Sequence, residues 1–174
     1  RKVSDDAGNR VAYELLYAQR MSDMLHHFYP QASEALKLAA RSQHIERWLL
    51  PRDHYPMDRK GYLQWRSELK LRHATRACEI MAAEGYDSSL CERVAALLKK
   101  EKLKSDEESQ VLEDVICLVF LRYYFAEFAK QHDEAKLIDI LQKTWRKMSE
   151  AGHQSALKLP LSDDEIALVT KALA

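Results

Sequence analysis

Three side chains far apart in the chain are of the types that hold a metal ion: His44, His73 and Asp114. Imidazole nitrogen and carboxylate oxygen together are the donor set of Zn²⁺, Mn²⁺ or Fe. Asp114 lies in the stretch VLEDVICLVFLRYYFAEF, which as a helix is apolar nearly all the way round. Such a helix is a buried one. Val111, Leu118, Leu121 and Phe125 share the stripe of Asp114, and Cys117, Phe120 and Tyr124 share that of Glu113. At least one of the two carboxylates should therefore face packed protein, where it needs a cation, a donor or a metal. An internal salt bridge satisfies that need as well as a ligand or catalytic role does. His73 has Leu69, Ala77 and Ile80 at helical spacing, and His44 has Ala40 and Trp48. A single inward histidine is more often a hydrogen-bonded core residue than a ligand. Two of them with an inward acid, on three helices, bring the readings closer to even. No short metal motif such as HExxH links them.

A second constellation is basic. Arg41, Arg47, Arg52, Arg59, Arg66, Lys70 and Arg72 gather around the loop PRDHYPMDRKG at 51–61, and Lys99, Lys100, Lys102 and Lys104 form a further run. Guanidinium forks suit phosphate or carboxylate. Trp48, Tyr55, Tyr62 and Trp65 lie among these residues and could stack on a base or a sugar, or pack as core. The same cations could equally form a solvated face paired with Glu46, Glu68 and Glu101. Gln43, Arg47, Arg66 and Lys70 are the candidate ligand-binding residues. Glu113, as a general base, and Lys100, on a phosphate, are the candidate catalytic ones.

These residues must be positioned by helices. Val11, Leu15, Ala18, Met21 and Leu25 recur at spacings of three and four, which predicts a helix over 11–28 ending near Pro30. Ser33 can cap a second helix that runs to Pro51 and turns Leu36, Ala39, Ala40, Ile45 and Trp48 inward. A third is expected from Tyr62 to Glu84, stopped by Gly85. A fourth is capped by Asp87 or Ser88, a fifth spans 107–131, and others follow near 133–147 and 163–173. No strand pattern competes. The expected architecture is all-α: one domain over 1–174, a bundle of about seven helices, with 1–10 a disordered or trimmed segment.

Composition narrows the function classes. Lys+Arg and Asp+Glu both number 27, so the formal net charge is zero. Nothing steers the whole molecule toward nucleic acid or an anionic membrane. No apolar run approaches the ~20 residues of a membrane span. Cys78, Cys91 and Cys117 are an odd set without CxxC spacing, as expected for reduced core thiols of a cytoplasmic protein.

The runs QHIxRW (43–48), YPxDRxGYLxWR (55–66), LKxxHA (69–74) and LKSD…LEDVxCLVFL (103–121) together resemble an uncharacterised domain-of-unknown-function family, some of whose members are labelled glutamyl-tRNA synthetase-like. The likeness covers about residues 13–173. That family in turn resembles the HD-domain superfamily of metal-dependent phosphohydrolases, which are helical. AARSQHI resembles its His-Asp run, with Gln43 at the His place and His44 at the Asp place. HATRACEIM, opening on His73, is similar to its later His helix, and Asp114 in LEDV to its final Asp. The early His has no counterpart; Glu14 or Tyr17 occupies that region. The resemblance implies a divalent metal (Zn, Mn, Fe or Mg) on His44, His73 and Asp114, or a degenerate site that has lost it.

Three functional expectations follow. The first is a degenerate HD-like module binding an anionic small molecule, a nucleotide or phosphoester, without chemistry. The second is an active metal-dependent phosphohydrolase. The third is a helical RNA- or protein-interaction adaptor, with zero net charge weighing against nucleic acid.

Overall fold

A computed structural model describes residues 1–5, 7–101 and 105–174. Lys102 and Lys104 of the basic run lie outside the described residues. Among the described residues the structure is all-α apart from one short hairpin, and the chain divides into two compact units, 1–109 and 110–174.

In the first unit, β1 (Lys2–Ser4) pairs antiparallel with β2 (Arg10–Ala12), with Val3 opposite Val11. This hairpin involves the segment 1–10 that the sequence reading took as disordered or trimmed. The local signal was the turn chemistry. Asp5 accepts from the backbone N–H of Ala7 and of Asn9, and Gly8 takes a left-handed φ of 84°. Helix α1 (Tyr13–Phe28) follows. Its buried face is Leu16, Tyr17, Met21, Met24 and Leu25, while Leu15 is 45% exposed. The apolar stripe is thus rotated by about one residue from the one expected.

Ser33 caps α2 (Glu34–Arg41) by accepting from the Leu36 N–H. The helix stops ten residues short of Pro51. Leu36, Ala39 and Ala40 are fully buried, but Trp48 is 57% exposed and Ile45 only half-buried, so no apolar face supports another two turns. Residues 42–46 form turns instead. Glu46 adopts a left-handed φ of 51°, which no α-helix can contain, and a 3-10 turn covers Arg47–Leu49. A second 3-10 turn, Arg52–His54, leads toward α3 (Arg59–Ala83).

Asp58 caps α3 through the Gly61 N–H, and Gly85 ends it at φ 85°. A side chain at 61 would collide with the Pro56 backbone, with a Cβ only 2.1 Å from its carbonyl oxygen, so the loop can fold close over α3. Asp87 caps α4 (Ser88–Lys99), which packs on both α3 and α2. Arg93 of α4 binds Asp106 in a short contact and Glu108 at 2.8 Å. Its guanidinium, ahead of other effects, holds the Asp106 carboxyl down at about 2.

Helix α5 (Glu107–Tyr123) is buried on nearly every side from Val111 to Leu121. The expected continuation to 131 breaks at Tyr124, and a separate short α6 (Phe125–Ala129) follows. In the second unit, Asp133 caps α7 (Glu134–Trp145), and Ser162 with Glu165 forms a capping box on α9 (Asp163–Leu173), which packs against α7. Between them lies α8 (Glu150–Ala156), an element absent from the sequence expectation. Seven residues carry too little periodicity to announce a helix.

Candidate functional site

The early end of α2 places His44 in a turn rather than on a helix face, and this brings it to α3. His44 stacks on Tyr17 of α1, with ring centroids 3.7 Å apart and planes 13° apart. Its ring lies 6.3 Å from that of His73 on α3. Arg47 closes the group. Its Nη1 donates to His44 Nε2 at 2.7 Å, and its guanidinium sits 5.0 Å over the Trp65 ring. Trp65 is fixed in turn by its Nε1–H, which donates to the Leu50 carbonyl at 2.9 Å. Arg66, Lys70 and His73 follow one another at spacings of four and three on α3, so they share a face.

The hydrogen bonding assigns a tautomer. Arginine can only donate, so His44 Nε2 must accept and the ring proton must sit on Nδ1. That Nδ1 is shut off from solvent and has no partner; the same holds for His73 Nε2 and Gln43 Nε2. Buried polar atoms of this kind are rare in folded proteins and ask for an explanation. Burial first, and then the Arg47 charge, pushes His44 well below the ordinary histidine range. The same two causes in the same order take His73 down to about 4. Both rings are neutral at physiological pH.

The cations are unmatched. Among the described residues, neither Arg47 nor Arg66 forms an ion pair with a carboxylate. Burial lowers the Arg47 pKa, and the neighbouring Arg66 charge lowers it further. Arg66 also acts electrostatically on His44 and on His73. Arg76, one turn beyond His73, shows the contrast. It binds Glu46 at 2.9 Å and Glu79 at 3.1 Å, in a hollow of about 450 Å³ that those residues line with Glu68 and Arg72. There the charges answer one another within the protein, whereas around His44 they do not.

The acids named from sequence are placed otherwise. Asp114 is 1% exposed, in the second unit. Its Oδ1 accepts from the Ser149 N–H at 2.7 Å and from Gln110 Nε2 at 3.1 Å, and its Oδ2 accepts from the Ser149 hydroxyl at 2.6 Å. Those donors satisfy the carboxylate without metal or cation. Glu113 is buried in α5 with a partner of its own, and Lys100 ends α4 in a left-handed conformation, also partnered. Lys70 is half-buried and likewise partnered.

Among the described residues, no three His, Cys, Asp or Glu side chains converge to hold a metal ion. The histidine pair does not suit a cation either. One His44 nitrogen is bonded to a guanidinium, the other carries the ring proton, and two arginines repel positive charge. What the group can do is donate hydrogen bonds to an anion. Trp65, which the sequence offers as a stacking or core aromatic, shapes the group from below Arg47, and Tyr17, which the sequence does not single out as a ligand contact, stacks on His44. The signal for Tyr17 was its place on the Tyr17–Met21–Met24 face of α1.

The family described as a domain of unknown function (DUF4202) matches residues 1–169, and the chain belongs to that family. No curated protein and no solved structure matches the chain.

Proposed function

We propose that this member of the DUF4202 family binds an anionic small molecule, of the nucleotide or phosphoester class, in the group formed by Gln43, His44, Arg47, Arg66 and His73. One observation carries the reading: two half-buried guanidiniums that act on each other form no ion pair with a carboxylate among the described residues. Positive charge gathered without an answering acid is the electrostatic setting that favours an anion. The unpartnered Gln43 Nε2 and His44 Nδ1–H supply donors of the kind that orient an oxyanion. The pocket is that of a degenerate HD-like module. It binds without turnover in this reading, which the lack of any three converging His, Cys, Asp or Glu side chains among the described residues supports.

Thermal unfolding in the presence of ATP, AMP, pyrophosphate, phosphate, sulfate and citrate tests this. An anion at a hundred times its Kd stabilises the native state by about 2.7 kcal/mol, a shift of several degrees for a chain of this size. The expected result is a shift with at least one phosphate compound, abolished in Arg66→Gln. No shift with any of the six would refute it. Elemental analysis of the purified protein separates this reading from metal-dependent hydrolysis, for which a stoichiometric divalent metal is the required finding.

A further inference from the structure

We infer that the loop between α2 and α3 docks the protein on an anionic lipid surface. The inference is independent of the anion-binding reading, because it uses solvent-exposed side chains and not the group around His44. Large apolar side chains stay exposed along this stretch: Trp48 is 57% exposed, Leu49 48%, Met57 78%, Tyr62 47% and Leu63 54%. Local contacts hold them in one region. Trp65 donates to the Leu50 carbonyl, which ties the turn carrying Trp48 and Leu49 to the first turns of α3. Pro56 closes on Gly61, which sets Met57 beside the helix start from which Tyr62 and Leu63 follow. Arg52 fastens the loop by donating to the Tyr55 and Asp58 carbonyls, with its guanidinium 6.0 Å from the Tyr62 ring and 5.9 Å from that of Trp65. The apolar set is therefore held in place on the surface, and a gathered patch of this kind marks a place of contact.

Charge decides what the contact is with. Residues 47–66 carry the cations Arg47, Arg52, Arg59, Lys60 and Arg66 against the acids Asp53 and Asp58. Arg59 and Lys60 are exposed and, among the described residues, form no ion pair. The flanking acids Glu46 and Glu68 are engaged by Arg76 and by the Tyr55 hydroxyl. Apolar side chains framed by unpaired cations match a bilayer with anionic headgroups. Trp and Tyr rings settle at the headgroup level, aliphatic chains reach just below it, and Arg and Lys meet the negative surface. The exposure of Met57 favours this occupant over an acidic peptide. Peptide recognition seats its anchors in a groove of the host, whereas here the apolar chains project from the host. Zero net charge does not oppose the contact, since attraction to a charged surface acts within a Debye length, roughly 8–10 Å.

Co-sedimentation of the full chain with unilamellar vesicles tests the inference, using phosphatidylcholine alone and phosphatidylcholine with roughly a third of phosphatidylserine. Partition onto the anionic vesicles is expected to exceed that onto the neutral ones at least tenfold and to fall as salt is added. Trp48 supplies a direct readout. Its emission should move to the blue on the anionic vesicles, and the shift should vanish in Trp48→Phe, where the buried Trp65 and half-buried Trp145 remain. Met57→Asp, and separately Arg59→Glu with Lys60→Glu, alter only exposed side chains. With folds checked by circular dichroism, each should cut the partition at least tenfold. No partition onto the anionic vesicles, equal partition onto both kinds, or full partition of both variants overturns the inference. Self-association in analytical ultracentrifugation that Met57→Asp abolishes would give the patch to a second copy of the chain, and capture by polyglutamate without vesicle binding would give it to an acidic peptide; either result also overturns it. None of these outcomes bears on the thermal shifts that test the anion pocket.

Discussion

His73 is the residue whose chemistry is furthest from its ordinary behaviour. It is 5% exposed, its Nε2 has no partner, and burial with the Arg47 charge brings it to about 4 from a usual 6.5. The native state therefore refuses a proton that the unfolded chain accepts below about pH 6.5. Between about pH 6.5 and 4 the unfolded state binds more protons, and stability falls as pH falls. Above pH 6.5 neither state is protonated there, and the loss vanishes. A depression of this size costs on the order of 3 kcal/mol by pH 4. His44, lowered by the same causes, adds to the slope. Urea unfolding at pH 7.0, 5.5 and 4.5 should show the wild type losing stability steeply. His73→Gln should lose distinctly less over the same range. Parallel slopes for the two proteins would place the acid sensitivity elsewhere.

At the scale of elements, the junction of α5 and α8 in the second unit turns on Asp114. Its carboxylate accepts from the N–H and the hydroxyl of Ser149, and Ser149 Oγ in turn accepts from the Gly152 N–H to cap α8. The backbone of α8 can come this close because residue 152 has no side chain. A Cβ there would lie 2.7 Å from Asp114 Oδ1 and 3.3 Å from Met148 Cβ. Glycine to alanine in a helix ordinarily gains roughly 0.5–1 kcal/mol. Here the clash with a buried, hydrogen-bonded carboxylate outweighs that gain, and Gly152→Ala should destabilise by at least about 1 kcal/mol. Asp114→Ala, which strands the Ser149 and Gln110 donors, should cost about 3 kcal/mol, and Asp114→Asn less. Chemical denaturation of the three variants measures this ordering. A neutral or stabilising Gly152→Ala would show that the junction relaxes freely.

The same elements show what the residue pattern could and could not announce. Asp87, Ser33 and Ser162 cap helices whose apolar runs also mark them, because cap and periodicity are both local, whereas α3 starts three residues before the expected Tyr62, at a cap, Asp58, that the apolar run does not reach. The inward place of His73 followed from Leu69 and Ala77 for the same reason. The stop of α2 at Arg41 did not, because Ile45 and Trp48 keep a helical spacing that tertiary packing does not use. That stop decides the surroundings of His44: Tyr17 and His73 come from other helices, and Arg47, three residues on, meets it from a turn, in place of the expected Ala40 and Trp48. The buried carboxylate at 114 was legible as buried, but its donor, Ser149, sits in a helix too short to be seen in advance.

For the molecule as a whole, charge balance sets how an anion reaches the site. Equal numbers of acids and bases, 27 each, leave no net field to gather polyanions from a distance. Many of the cations are already committed: Arg93, Arg76, Lys143 and Lys171 each hold an acid within the protein. Nucleic-acid binding draws most of its affinity from many unpaired cations releasing counterions along the phosphate backbone. The proposed site, Arg47 and Arg66 beside the buried His73 and half-buried His44, would act as a point receptor, not a track. A filter-binding assay with a mixed-sequence RNA should therefore show no retention at micromolar protein in 150 mM salt, where a small phosphate compound still binds. The affinity for that small anion should weaken only modestly between 50 and 200 mM salt, since the slope scales with the few charges neutralised. Tight RNA retention with a steep salt dependence would mean that exposed cations such as Arg59 and Arg72 act together as a surface, and the two-arginine pocket would lose its standing as the principal anion site.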